Sequence, residues 1–213
     1  MKKIAFSDKY GLTQAVIEGR KSMTRRIATA LNHPNITDIS EWGIDSNGKA
    51  MLNITYDIGL QEDVYPNFQI AEVVAVAQAY KNDDVLSFNA YFPDGLKRHK
   101  EMLSSPGYRN KMFVKAEYMP HRICITDIKV ERLRDISEED CMKEGIMEGE
   151  FMNTWDTFYF DMWGDVPNHI TFKTPHAAFA SLIDRISGRG TWERNPWVFA
   201  YEFELVKKIN QNT

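Results

Sequence analysis

Eight residues from Gly19 to Arg26 (GRKSMTRR), called the octet below, bring together four cations and two hydroxyl groups. Within the octet, Arg20 and Arg25 crowd Lys21 with like charge, which favours the neutral form of its amine. A neutral Lys21 amine could accept the proton of Thr24 or of a water molecule and so create a nucleophile for acyl transfer. The guanidinium groups are suited to holding a phosphate or stabilising an oxyanion.

A candidate acid for the same chemistry lies much later in the chain. Ser137 followed by three acidic residues predicts the capped start of a short helix, and Gly145 predicts its end. Glu144 would then lie at the helix terminus, where its carboxylate could carry a proton to a departing amine. A simpler alternative stays open, in which the octet is a solvated basic strand edge, because Lys and Arg commonly protect such edges.

The elements around the octet decide how its side chains are presented. Residues 3–6 have the pattern of a short strand, and residues 12–16 have the apolar spacing of a helix that ends at Gly19. If the octet is extended, its side chains alternate between two faces. Arg20, Ser22, Thr24 and Arg26 then share one face, and Lys21, Met23 and Arg25 share the other. A bend at either end could bring Lys21 and Thr24 into one cleft.

The remaining segments predict a mixed α+β chain. Residues 71–80, 112–117 and 197–205 have strand patterns, residues 42–56 have the pattern of a hairpin, and Thr174-Pro175 predicts the start of a helix. Between residues 123 and 130 the apolar side chains switch from odd to even positions. This switch of parity predicts a bulge near Thr126-Asp127.

Bulk properties restrict the kinds of function. The net charge of −4 and the pI of about 5.8 argue against a long basic track along nucleic acid. The sequence has no apolar run long enough for a membrane span and no signal-peptide pattern, so we expect a cytoplasmic protein with reduced Cys124 and Cys141. The scattered histidines and the lack of a phosphate-binding glycine loop predict neither a metal nor a cofactor.

The sequence predicts a single domain over residues 1–213, with insertions at about 27–70, 81–110 and 147–173. The last insertion is rich in aromatic residues. Such a block is more typical of the private core of an insertion than of a platform for stacking bases. The aromatic residues in question are Phe151, Trp155, Phe158, Tyr159, Phe160 and Trp163.

The order of the motifs resembles the ASCH family of the PUA-like superfamily. The octet is followed by AEVVAVAQAY, by MFVKAEYMPHRICITDIKVERLRDISEEDCMKEGI and by NPWVFAYEF, an order similar to that of ASCH proteins encoded by phages and prophages. The resemblance implies a small mixed β-barrel with flanking helices and a cleft for RNA or a modified nucleotide beside the octet. One branch of the family removes the acetyl group from acetylcytidine. By motif, its proposed catalytic residues correspond to Lys21, Thr24 and Glu144.

Three functional hypotheses follow. The first is binding of RNA, or of a modified nucleotide or nucleoside, in a basic cleft where Arg20, Arg25 and Arg26 hold phosphate. The second is an amidohydrolase acting on an acylated cytidine-type nucleoside, with Lys21 as base, Thr24 as nucleophile and Glu144 as proton carrier. The third is a phage accessory protein that acts through protein contacts.

Overall fold

The computed structural model describes residues 1–40, 42–151, 154–160 and 170–206, without the side chains of residues 150, 151 and 154–156. The strands are β1 (Lys3–Ile4), β2 (Met23–Ile27), β3 (Ile36–Ile39), β4 (Gly43–Ile44), β5 (Ala50–Tyr56), β6 (Gln61–Val64), β7 (Val73–Val76), β8 (Arg122–Arg132), β9 (Met147–Phe151), β10 (Thr154–Tyr159) and β11 (Trp197–Leu205). The helices are α1 (Leu12–Ile17), α2 (Asp83–Ala90), α3 (Gly95–Ser104), α4 (Glu138–Lys143), α5 (Pro175–Ser187) and α6 (Thr191–Arg194). The predicted α+β class is confirmed.

The largest sheet of the described residues has five strands in the order β1-β7-β8-β11-β2. β1 and β7 are parallel, and the other pairs are antiparallel. The predicted bulge is confirmed, because Ile125 pairs with Phe203 and Asp127 pairs with Glu202, which leaves Thr126 as the extra residue. The bulge keeps the apolar side chains on both sides of it directed into the main core.

The helix that precedes Glu144 forms as predicted. The Ser137 hydroxyl accepts a hydrogen bond from the backbone N–H of Asp140 at 3.1 Å, which caps α4. Gly145 follows with φ of +100°, and a Cβ at this position would lie 3.3 Å from the Leu12 side chain. The turn therefore requires glycine, and it leaves Glu144 at the end of α4.

The first insertion contains a smaller sheet in the order β3-β5-β4, with β6 also paired with β5. The predicted hairpin is confirmed by the pairing of Gly43 with Met51 and of Ile44 with Ala50. The second insertion contains α2 and α3, which share a separate apolar cluster with Tyr80 and Tyr118.

The predicted strand at residues 112–117 is wrong. Residues 111–113 and 116–118 form two 3-10 helices instead. Val114 and Tyr118 are buried in the cluster of the second insertion, and the backbone N–H of Lys115 donates to the Tyr80 hydroxyl at 2.7 Å. The apolar residues of this segment thus pack onto α2 and α3 rather than into a sheet.

One lysine connects the second insertion to the loop that follows β1. The Lys111 ammonium donates to the backbone carbonyl of Phe6, to Asp8 Oδ1 at 2.6 Å and to Thr13 Oγ1 at 3.0 Å. The ammonium of Lys111 therefore ties the loop and the start of α1 to the segment that directly follows the second insertion.

The closed barrel that the resemblance implies is not formed in the described part of the chain. β3 lies at the outer edge of the small sheet, and neither sheet closes on itself there. A groove lies between the two sheets. In the described ranges, no helix combines the length and apolar character that a bilayer span requires.

Candidate active site

A cavity of about 330 Å³ lies between β2, the loop after β1 and α5, and is called the cavity below. Lys21, Thr24, Arg25, Arg26 and Glu144 line the cavity. The structure thus brings together five of the six residues that the sequence marked as a candidate site. The opposite wall is apolar and consists of Leu12, Phe179, Leu182, Ile183 and Ile186.

Lys21 reaches the cavity because the octet is bent at its start. The backbone N–H of Lys21 donates to Ala15 O, and that of Ser22 donates to Lys143 O, each at 3.0 Å. β2 begins only at Met23, so Lys21 lies outside the strand alternation. This bend brings Lys21 and Thr24 into one cleft, as one of the sequence alternatives allowed.

Lys21 and Glu144 form a buried ion pair. Lys21 Nζ donates to Glu144 Oε2 at 2.6 Å and to the backbone carbonyl of Glu144 at 2.7 Å. Both side chains are almost completely inaccessible, at 1% and 6% exposure. Burial lowers the pKa of the Lys21 amine, and the charges of Arg26 and Arg25 act in the same direction, while Glu144 opposes them.

Arg25 is held by three carboxylates, one of which, Glu144, also lines the cavity. Its Nη2 lies 2.6 Å from Glu131 Oε1 and 2.9 Å from Asp140 Oδ2, and its Nη1 lies 3.2 Å from Glu144 Oε1. Burial acts to lower the pKa of Arg25, but the neighbouring carboxylates outweigh it and raise that pKa. This arrangement argues against the expected phosphate-binding role of Arg25, because its donors are already engaged.

Arg26 differs from its neighbour because most of its donors have no acceptor among the described residues. Its Nη2 donates to the carbonyl of Ala5 at 2.7 Å, and its guanidinium lies over the Phe6 ring at 5.6 Å. The Nε of Arg26 is buried and has no hydrogen-bond partner among the described residues. Burial lowers the pKa of Arg26. A guanidinium presents five N–H donors, so this side chain retains capacity for an acceptor from a ligand.

Thr24 lies on the same face of β2 as Arg26, since the two are separated by one residue of the strand. Its side chain is 5% exposed and lines the cavity. No described residue forms a hydrogen bond with its hydroxyl, which therefore remains available to a ligand or a water molecule.

Arg20 and the aromatic block do not contribute to the cavity. Arg20 lies at the surface and pairs with Glu18 at 2.7 Å, so its expected role as a phosphate ligand finds no support. Phe160 is buried against Tyr10 and Phe172 as part of the main core, so the expected private core of the insertion is not what this residue forms. Phe158 and Tyr159 are half-buried and also lie outside the cavity lining. The side chains of Phe151, Trp155 and Trp163 lie outside the described residues.

Besides Phe179, the cavity is lined by a second aromatic residue that sequence reasoning missed, Phe6. Its ring lies 5.9 Å from Lys21 Nζ as well as under Arg26. The only available signal was its position at the end of the first strand pattern, directly before a polar loop. Sequence reasoning also missed Glu131 and Asp140, which fix Arg25.

The described residues contain no group of three or more His, Cys, Asp or Glu side chains arranged to hold a metal ion. The cavity presents an amine–carboxylate pair, a hydroxyl and a partly satisfied guanidinium. Comparisons with protein-family models, curated proteins and solved structures gave no match to this chain.

Proposed function

We propose that the cavity binds a modified nucleoside or nucleotide, either free or as one unit of an RNA strand. The observation that carries this proposal is the buried Arg26 Nε without an acceptor, beside the unbonded Thr24 hydroxyl. A cavity of about 330 Å³ is at the lower end of the range of small-molecule sites, which is about 300–1,000 Å³. We choose a nucleoside or nucleotide as the ligand because of the resemblance to the ASCH family and the PUA-like fold that this resemblance implies.

The ligand would make two kinds of contact. A phosphate or carbonyl oxygen would accept hydrogen bonds from Arg26, and an aromatic base would contact Phe6 or the apolar wall formed by α5. The acidic net charge of the chain limits the nucleic-acid contact to this local site rather than an extended track.

Thermal unfolding with nucleosides, nucleotides and short RNAs at low salt tests the proposal, because a ligand that binds only the native form raises the melting temperature. We expect a rise for the wild type and for Arg20→Ala, a matched variant whose arginine lies outside the cavity. Arg26→Ala should bind at least tenfold more weakly. If no compound raises the melting temperature, the binding proposal fails and the hypothesis of a protein that acts through protein contacts is favoured.

The Lys21–Glu144 pair favours a second function, the amidohydrolysis of an acylated cytidine-type nucleoside. A neutral Lys21 would take the Thr24 proton while Thr24 Oγ1 bonds to the acyl carbon. The proton would pass across the 2.6 Å contact to Glu144 and on to the leaving amine as the C–N bond breaks. Water would then add to the acyl carbon, and the broken ester bond would return a hydroxyl to Thr24. Arg26 would stabilise the oxyanion.

Release of cytidine from acetylcytidine tests this second function. Lys21→Ala and Thr24→Val should each lower kcat at least about 100-fold, whereas Thr24→Ser keeps the hydroxyl and should retain most of the rate. Circular dichroism of each variant checks the fold. A wild type without turnover on any acylated nucleoside would exclude the hydrolase, and equal rates for Thr24→Val and Thr24→Ser would exclude Thr24 as nucleophile.

A further inference from the structure

A second concavity, called the groove below, lies between the small sheet and the main sheet. It has a volume of about 900 Å³ and shares no lining residue with the cavity. One wall is formed by residues 31–40 and Trp42, and the other by β8 and Trp197. An inference about the groove is therefore independent of the function proposed for the cavity.

The groove separates two strand edges that are open in the described part of the chain. On one side, β3 pairs with β5 and has no partner on its outer edge. On the other side, β7 covers β8 only from Arg122 to Cys124, and the bonds of Ala71 and Glu72 extend this cover to Ile125. From Asp127 to Arg132, the one described partner of β8 is β11. Open N–H and C=O groups on such edges are a template for another strand.

The side chains of the groove provide apolar contacts for such a strand. Ile36, Ile39 and Leu52 line one part, and Ile128 and Val130 line another. Trp42 is half-buried against Phe199, with ring centroids 6.4 Å apart. Trp197 is also half-buried, at the end of the groove. Added strands are recognised by backbone pairing together with pockets for alternate side chains, and the groove offers both.

Cations predominate among the charged side chains that the structure describes in the groove. Lys129 and Arg132 are exposed, whereas Asp38 is the acid of the lining. The Arg132 guanidinium lies over the Trp197 ring at 4.5 Å. Positive charges on an open edge disfavour a basic strand and favour an acidic partner.

We propose that the groove binds an extended acidic segment of a partner protein as an additional β-strand between β3 and β8. The segment would pair through its backbone with one or both edges and place acidic side chains near Lys129 and Arg132. The inserted strand would join the two sheets that are separate in the structure.

The probe for this proposal is a capped heptapeptide of alternating glutamate and valine, with a fluorescent label. We expect saturable binding, measured by anisotropy, that weakens as salt is added. Replacing glutamate by lysine, or methylating alternate backbone nitrogens, should weaken binding at least tenfold, because the first reverses the charge and the second removes hydrogen-bond donors. Amide exchange should slow in β3 and in residues 127–132 when the peptide binds.

Matched protein variants locate the binding. Lys129→Ala and Arg132→Ala should each weaken peptide binding at least fivefold, whereas Lys97→Ala, which removes an equal charge from exposed α3, should not. Failure of the wild type to bind the peptide would overturn the proposal, as would equal binding of the methylated peptide. Binding of oligouridylate in place of the peptide, with the same dependence on Lys129 and Arg132, would assign the groove to single-stranded nucleic acid instead.

Discussion

Arg25 and Arg26 are adjacent in β2, but their guanidinium groups have very different surroundings. On one face, Arg25 is enclosed by Glu131, Asp140 and Glu144, which occupy its guanidinium group. On the other face, Arg26 bonds to one backbone carbonyl and keeps a buried N–H without an acceptor among the described residues. Adjacent residues of the same type therefore differ, because Arg25 is satisfied within the fold whereas Arg26 has a buried donor without an acceptor among the described residues.

The difference arises from the groups that pack against each arginine. The Arg25 face is opposite the acidic first turn of α4 and Glu131 of β8, so a buried positive charge finds its countercharges within the protein. The Arg26 face meets Phe6 and the cavity, where the protein offers few acceptors. An unpaired buried donor carries a free-energy cost, and this cost is the reason for our proposal that a ligand occupies the cavity.

Replacing each arginine by methionine gives the largest expected contrast. Arg25→Met leaves three carboxylates without their shared cation, so we expect the free energy of unfolding to fall by about 3–5 kcal/mol. Arg26→Met loses one hydrogen bond to a carbonyl, so its cost should be about 1 kcal/mol. Equilibrium unfolding in urea at pH 7 measures both. Equal losses would show that the two faces do not differ in the way described.

The pH dependence of stability reports how well Tyr201, the cross-strand neighbour of Thr24, is shielded from water. Tyr201 pairs with Thr24 across β2 and β11, and burial raises its pKa to about 12. Between pH 10 and 12 the unfolded chain releases this proton while the native protein keeps it, so stability falls as the pH rises. A shift of two units corresponds to about 2.7 kcal/mol.

Tyr201→Phe is the control for this prediction. It should cost about 1 kcal/mol below pH 9, because the hydrogen bond from Asn67 N at 3.0 Å is lost. Its stability should then decline less steeply than that of the wild type above pH 10. Parallel stability curves for the two proteins would contradict the raised pKa.

The smallest expected effect concerns the helix that presents Asp140 and Glu144 to the closed face. Ser137→Ala removes the cap of α4 and should lower the free energy of unfolding by about 1 kcal/mol. Ser137→Thr retains a capping hydroxyl and should cost less. Urea unfolding measures the stability of the two variants. Equal stabilities of Ser137→Ala and Ser137→Thr would show that the capping hydroxyl does not stabilise α4.

Local pattern predicted the parts of the fold that depend on neighbours in the chain. The parity switch located the bulge at Thr126, and the serine with its acidic turn located α4. Alternation also placed Thr24 and Arg26 together and Arg25 on the opposite face. Partners that lie far apart in the chain carried no local signal, since Glu131 and Asp140 are 106 and 115 residues from Arg25. The satisfied state of Arg25 could therefore not be read from the octet.

The wrong prediction of a strand at residues 112–117 also arises from contacts with segments that are distant in the chain. The pattern at residues 112–117 is compatible with a strand, but α2 and α3 provide an apolar surface that competes for Val114 and Tyr118. The open edges of β3 and β8 were also invisible, because whether an edge is covered depends on how the sheets are arranged. Local propensity determines which elements can form, and the packing of distant segments selects among them.

The link made by Lys111 gives the second insertion a role beyond its own cluster. The carbonyl that this lysine holds belongs to Phe6, whose ring lies beneath the guanidinium that faces the cavity. Lys111 directly follows this insertion, so we expect that deletion of the insertion would change where the ammonium group lies and weaken its hold on that wall. Movement of α2 and α3 would reach the cavity wall through Lys111 and would reach β1 through Lys3, whose ammonium donates to the carbonyls of Met112 and Val114.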